Sequence, residues 1–141
     1  MKAAATEFRL PAEDESYLEG LGIDWEMRVD KGPSQNQSTN WLILHNWKLP
    51  NGYNVAEANL ALRIPGNYSD AQIDMVYFNP SLSRADGKAI GALSAIKILT
   101  EDYQQWSRHR TGQNPWLPGI DNIASHLAAV DHWLRRELEG R

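Results

Sequence analysis

The densest run of reactive side chains in this chain is Trp106, Ser107, Arg108, His109 and Arg110, with Trp116 shortly after it. A serine hydroxyl two residues from an imidazole has the elements of an activated nucleophile and its base. Ser-x-His also arises often by chance, and composition alone favours a solvated basic turn beside a packed Trp. The other histidines carry less. His45 sits among apolar neighbours and is expected to be a core histidine satisfied by one hydrogen bond. His126 and His132 lie six residues apart on one helical stretch and share no face. No pair has the H-x-x-x-H spacing of a helical zinc site, so no metal is expected. Asp70, Asp74 and Asp121 are the carboxylates near turns or strand starts. Asp74 stands apart because it falls inside the apolar run IDMVYF. It is expected either to anchor a neighbouring loop through hydrogen bonds or to orient His109 or Arg108. G-x-G-x-x-G and G-x-x-x-x-G-K are both absent, so the chain has no glycine-rich phosphate cradle.

Periodicity predicts the elements that must position these residues. Pro11 suits a first helical turn, Glu13, Asp14 and Glu15 suit the positive end of a helix dipole, and Gly20 and Gly22 end that helix. Residues 23–29 alternate Ile23, Trp25, Met27 and Val29 against Asp24, Glu26 and Arg28, the period of a half-buried strand. Residues 31–40, KGPSQNQSTN, read as a loop. Further strands are predicted over 41–49, 56–64 and 73–78, punctuated by Pro50-Asn51-Gly52 and by PGNYSD. Residues 81–89 are polar around the turn pair Asp86-Gly87, 90–99 read as strand or buried loop, and 103–116 read as irregular. Ile123, Leu127, Val130, Leu134 and Leu138 share one helical face, which predicts a helix over 121–138 capped by Asp121 or Asn122. The expected fold is α+β: an antiparallel four-stranded meander with an N-terminal and a C-terminal helix packed on it.

Composition narrows the function classes. A chain of 141 residues is expected to form one domain that buries about 68–70% of its unfolded surface. With no cysteine, disulfides, thiolate metal sites and a cysteine nucleophile are all excluded. A net charge of -4 argues against a nucleic-acid partner. No apolar run has the length of a membrane span, and Glu7 and Arg9 interrupt any secretory leader, so a cytoplasmic protein is expected.

The order of motifs resembles the ubiquitin-conjugating (UBC) fold over residues 10–138, a single UBC-like domain within 1–141. In LALRIPGNYSDAQIDMVYFNPSL, residues 60–82, Pro65 and Tyr68 stand where that family has a strand-ending Pro and its Tyr-Pro turn. Asn79-Pro80-Ser81 stands at its His-Pro-Asn, and Trp116-Leu117-Pro118 resembles its Trp-Ser-Pro before the next helix. The chain departs from that family by lacking the catalytic Cys. His109, with Ser107 just before it, is nearest to that place. One branch is similar in more detail: the cysteine-less bacterial proteins of the prokaryotic family E type. Trp106-Ser107-Arg108-His109, Leu49-Pro50-Asn51-Gly52-Tyr53-Asn54 and Asp74-Met75 match its pattern.

That resemblance implies a component of a bacterial ubiquitin-like modifier conjugation pathway, an acyl transferase that handles the activated C-terminus of the modifier without a cysteine. The partners it implies are a ubiquitin-like protein, a ThiF-type activating enzyme and a JAB-type peptidase; it implies no cofactor. The modifier tail is then expected to lie along 79–82 and the loop 106–110, a binding site that takes in Ser81 and Trp106. Arg108 and Arg110 are expected to hold the tail carboxylate or an oxyanion, His109 to act as base or acyl acceptor, Ser107 to form an oxyester, Tyr77 and Asn79 to position the carbonyl, and Asp74 to orient the base. Two rival readings remain: a non-catalytic adaptor that binds the modifier or its activating enzyme, and a small-molecule hydrolase using Ser107 and His109.

Overall fold

The computed structural model describes residues 9–31 and 38–139. The loop predicted over 31–40 falls mainly outside the described residues. The elements run α1 (Ala12–Gly20), β1 (Trp25–Asp30), β2 (Thr39–Lys48), β3 (Glu57–Ile64), β4 (Val76–Asn79), β5 (Leu93–Ile98), β6 (Glu101–Trp106) and α2 (Ile123–Leu138). No helix of the described residues is long and apolar enough to cross a membrane.

The sheet has six strands in the order β1-β2-β3-β4-β6-β5, every neighbouring pair antiparallel. The predicted four-stranded meander is therefore its first part, and a hairpin extends it. Two physical features hide that hairpin in the sequence. Its turn is Leu99-Thr100, without the Gly or Asn that usually supplies a positive φ, although Leu99 takes φ 60°. Its second strand carries a glutamine on the core face: Gln104 and Trp106 point one way, Tyr103 and Gln105 the other, so alternation by polarity is lost. Residues 101–106, read partly as irregular, are thus a strand, and the apolar stretch 90–99 contains β5. The predicted strand 73–78 instead begins at Val76, because Met75 at φ 62° cannot continue an extended ladder.

One sheet face carries the main core. Trp25, Met27, Leu42, Leu44, Leu60, Leu62, Phe78 and Trp106 pack there against Ile123, Leu127, Val130 and Leu134 of α2 and Leu18 of α1. Asn122 caps α2 in a capping box with Ser125, so of the two predicted caps Asn122 takes the position. Asp14 of α1 accepts a hydrogen bond from the Ile123 N–H at 3.4 Å, which places a buried carboxylate at the N-terminus of α2. The other face buries Trp41, Ile43, Ala61, Tyr77, Ile98 and Tyr103. The sheet curls over this second cluster: β1 and β5 are its opposite edges, yet the Leu99 N–H of the β5–β6 turn donates to Asp30 Oδ2 at the end of β1, at 3.0 Å. Burial on both faces accounts for the unbroken apolar run Trp41–Leu44 in β2.

The segment 49–54 docks the C-terminal half of α2. Tyr53 donates its hydroxyl to the Leu134 carbonyl at 2.6 Å. Gly52, at φ 125°, leaves room for Leu138, whose Cδ1 would lie 2.9 Å from a Cβ placed there. Asn54 holds the chain 81–83, accepting from the Ser83 N–H at 2.8 Å and donating to the Ser81 carbonyl at 3.2 Å.

Candidate functional site

Trp106 ends β6 with its indole fully buried, 5.6 Å from the Phe78 ring and 6.2 Å from that of Tyr53. Its Nε1–H donates to Gln104 Oε1 at 2.8 Å, and the same carboxamide spans the Leu82 backbone, accepting from its N–H at 2.9 Å and donating to its carbonyl at 3.1 Å. A rigid strand end thus delivers the chain into residues 107–110. There Ser107 N–H donates to the Ala92 carbonyl at 3.0 Å.

The two arginines turn inward. Arg108 lies over Trp106 at 4.8 Å, donates to the Gly91 carbonyl at 3.2 Å and meets Glu137 of α2 at 3.4 Å. Glu137 also faces the buried Arg84 at 3.8 Å. Arg110 keeps only 8% of its side chain exposed. It lies over Trp116 at 5.2 Å and donates to Asp121 at 3.3 Å. Burial works against the charge of Asp121, but the Leu117 N–H, the Ser125 hydroxyl and Arg110 outweigh it and hold its carboxyl below the usual range. Arg108 therefore binds the loop to α2, and Arg110 binds it to the segment that leads into α2.

His109 behaves differently. Its side chain is 59% exposed, and its Nδ1 lies 3.0 Å from each oxygen of Asp74. An ionised carboxylate only accepts, so Nδ1 carries the proton and Nε2 is left outward. Among the described residues no partner binds Nε2. His109 stands at the edge of a groove of about 640 Å³ between the loop 109–114 and α2, whose α2 wall includes Ser125, Ala129, His132 and Arg136. Asp74 is also on the rim of a second cleft, beside Tyr77, Met75 and Arg63.

Of the remaining predicted site residues, Tyr77 lines the second cleft with Asp74, and among the described residues Ser107, Asn79 and Ser81 make no hydrogen bond to the pair. The hydroxyl of Ser107 accepts from Gln105 Nε2 at 3.4 Å, and among the described residues no hydrogen bond joins it to His109. Tyr77 is buried edge-on against Trp41 at 4.9 Å on the second face of the sheet, where burial raises its hydroxyl pKa. Asn79 donates to the Asp102 carbonyl at 2.7 Å, tying β4 to β6. It sits three residues along β4 from the Val76–Trp106 pair, roughly 10 Å at strand rise. Ser81 is exposed, and its carbonyl is taken by Asn54. Among the described residues no group of three or more His, Asp or Glu is placed to hold a metal ion.

His126 is the residue that sequence reasoning passed over. The core histidine was expected at His45, but His45 is only half-buried and pairs with Glu26 at 2.8 Å on β1. His126 is fully buried instead, and its Nε2–H donates to the Met75 carbonyl at 2.9 Å. The available signal was spacing: His126 lies three residues after Ile123 and four before Val130, on the apolar stripe of α2. Burial lowers its pKa, with the Met75 bond opposing that shift and Arg110, Asp74 and Asp121 as nearby charges. The folded state thus holds a neutral ring that the unfolded chain would protonate below about pH 6.5. Stability from this group is present above that pH and is lost as pH falls below it, by at most about 1.4 kcal/mol per pH unit. Urea unfolding of the wild type and H126Q between about pH 7 and pH 5 checks this: the wild type should lose more stability, and equal losses would contradict it.

A family model described as prokaryotic E2 family E matches residues 10–137. No curated protein and no solved structure matches the chain.

Proposed function

The chain belongs to prokaryotic E2 family E, and from that premise we propose that it handles the activated C-terminus of a ubiquitin-like modifier in a bacterial conjugation pathway, with His109 in place of a cysteine as the reacting centre. The observation that carries this reading is the Asp74–His109 pair at the edge of the groove beside α2. In this reading Asp74 fixes the ring with Nδ1 protonated, Nε2 is left as the base at the groove's edge, and the carboxylate stabilises the imidazolium that forms. As an acceptor amine or hydroxyl attacks the activated acyl carbon, Nε2 takes its proton. The acyl bond to the carrier breaks, the carrier leaves with its electron pair, and the proton passes to that leaving group or to water. The modifier tail runs through the groove between the loop 109–114 and α2. The partners are the ubiquitin-like protein and a ThiF-type activating enzyme, with a JAB-type peptidase acting on the conjugates, in the cytoplasm.

A second reading has its own support. Arg108 and Arg110 are both engaged with α2 carboxylates or their neighbours, and Ser107 is not joined to His109. Neither arginine is free to stabilise an oxyanion, which favours an adaptor that binds the modifier or its activating enzyme without transferring it.

One experiment separates the two. The protein is titrated with the modifier charged on its activating enzyme, and both binding and discharge to an amine are followed. Binding with discharge that depends on His109 is expected. Binding with no discharge supports the adaptor, and neither binding nor discharge overturns the pathway assignment. Duplex DNA is the control: the acidic charge predicts no tight, salt-sensitive binding.

A further inference from the structure

We propose that His126 is a positioning residue for the Asp74–His109 pair, acting through the backbone of Met75. The inference rests on the reading of that pair as the reacting centre and adds what holds it in place.

Asp74 does not belong to a strand; the ladder of β4 begins two residues later, at Val76. Between them Met75 takes φ 62°, a left-handed conformation that side chains other than Gly, Asn or Asp rarely adopt. Backbone of that kind persists only where the surroundings over-determine it, and it clusters at functional sites. Here the surrounding group is identifiable. The Met75 carbonyl accepts the Nε2–H of His126 at 2.9 Å, from a ring that is fully buried and packed edge-on to Trp133 at 5.6 Å.

The occupant of this site is an unexpected one. His126 lies on the apolar stripe of α2, where a leucine would bury no polar atom. The imidazole brings a buried Nδ1 that has no hydrogen-bond partner among the described residues, which is costly. What it supplies in return is the bond to the Met75 carbonyl. That bond links the rigid helix to the residue adjoining Asp74, and Asp74 in turn sets the proton on His109 Nδ1. α2 therefore provides a wall of the groove through His132 and Arg136, and through His126 it also aims the group that reacts there.

The test reads the ring nitrogens of His109 in the full chain, labelled with ¹⁵N at histidine. The wild type should show the Nδ1–H tautomer with a bare Nε2. D74N should lose that preference. H126F, which fills the space without a donor, should move the His109 nitrogens in the direction of D74N. H126Q, whose amide can reach the same carbonyl, should keep them. In the discharge assay H126F should lower kcat by about 10- to 100-fold with KM within about twofold, and H126Q should stay within about threefold of wild type. A folded H126F with the wild-type tautomer and kcat overturns the proposal and leaves the Asp74–His109 reading standing. If D74N also leaves the tautomer unchanged, the underlying reading falls with it. Where H126F does not fold, H126M takes its place under the same two readings.

Discussion

Replacing His109 with Ala is expected to lower modifier discharge by about 10²–10⁴-fold, the usual contribution of a general base. The side chain is more than half exposed, so the same change should move stability by no more than about 0.5 kcal/mol. Asp74→Asn should cost activity as well, because an amide can donate to His109 Nδ1 and so favour the wrong tautomer. The double variant should then be little worse than H109A alone, since two groups that act as a unit lose their function once. Ser107→Ala provides the contrast. Its hydroxyl is held by Gln105, so the variant should conjugate within about threefold of wild type. If S107A is instead as inactive as H109A, the serine is the acceptor and His109 serves it. If H109A, with an unchanged Tm, discharges the modifier at the wild-type rate, the site assignment is wrong and the adaptor reading replaces it.

Trp106→Ala should be the most destabilising of the single changes considered, at about 3–5 kcal/mol. The indole is fully buried against Phe78 and Tyr53 in a close-packed core, so truncation leaves a cavity and removes the Nε1–H donor to Gln104. Trp106→Phe keeps most of the volume and gives up the Nε1–H bond, while Gln104 Oε1 retains the Leu82 N–H, so a loss of about 1 kcal/mol is expected. Urea unfolding followed by far-UV circular dichroism checks both. A loss below about 1 kcal/mol for W106A would show that this tryptophan is not a core anchor. The change reaches the site too, because Arg108 lies over the same ring and the backbone to His109 leaves from it.

Much of the scaffold was legible in local pattern. The strand β1 and the helix α2 announce themselves because their side chains repeat with the period of the backbone, and β2 because its apolar run is ended by Pro50-Asn51-Gly52; neither signal needs a partner to be seen. The family resemblance rests on the same layer of information, motifs in order along the chain, and the family match covers residues 10–137. His109 was visible as a reactive side chain beside a serine, and Asp74 as a carboxylate in an apolar run.

Tertiary structure decided the rest, for a common reason: in each case the deciding group comes from far along the chain. The β5–β6 hairpin is hidden because the half-buried Gln104 takes the core-facing side of the strand, and its carboxamide makes sense there only once the Leu82 backbone is beside it. Arg108 and Arg110 look like free cations until α2 and the segment before it bring Glu137 and Asp121 to them. Tyr77, Asn79 and Ser81 follow one another closely in sequence, yet Tyr77 lines the second cleft with Asp74, Asn79 ties β4 to β6, and Ser81 is bound by Asn54. Asp74 and His109 are 35 residues apart, and which of the nearby hydroxyls and carboxylates would face the imidazole depended on where β4 begins. That point follows the left-handed residue Met75, whose carbonyl accepts from a histidine on a distant helix, a hydrogen bond no local periodicity records.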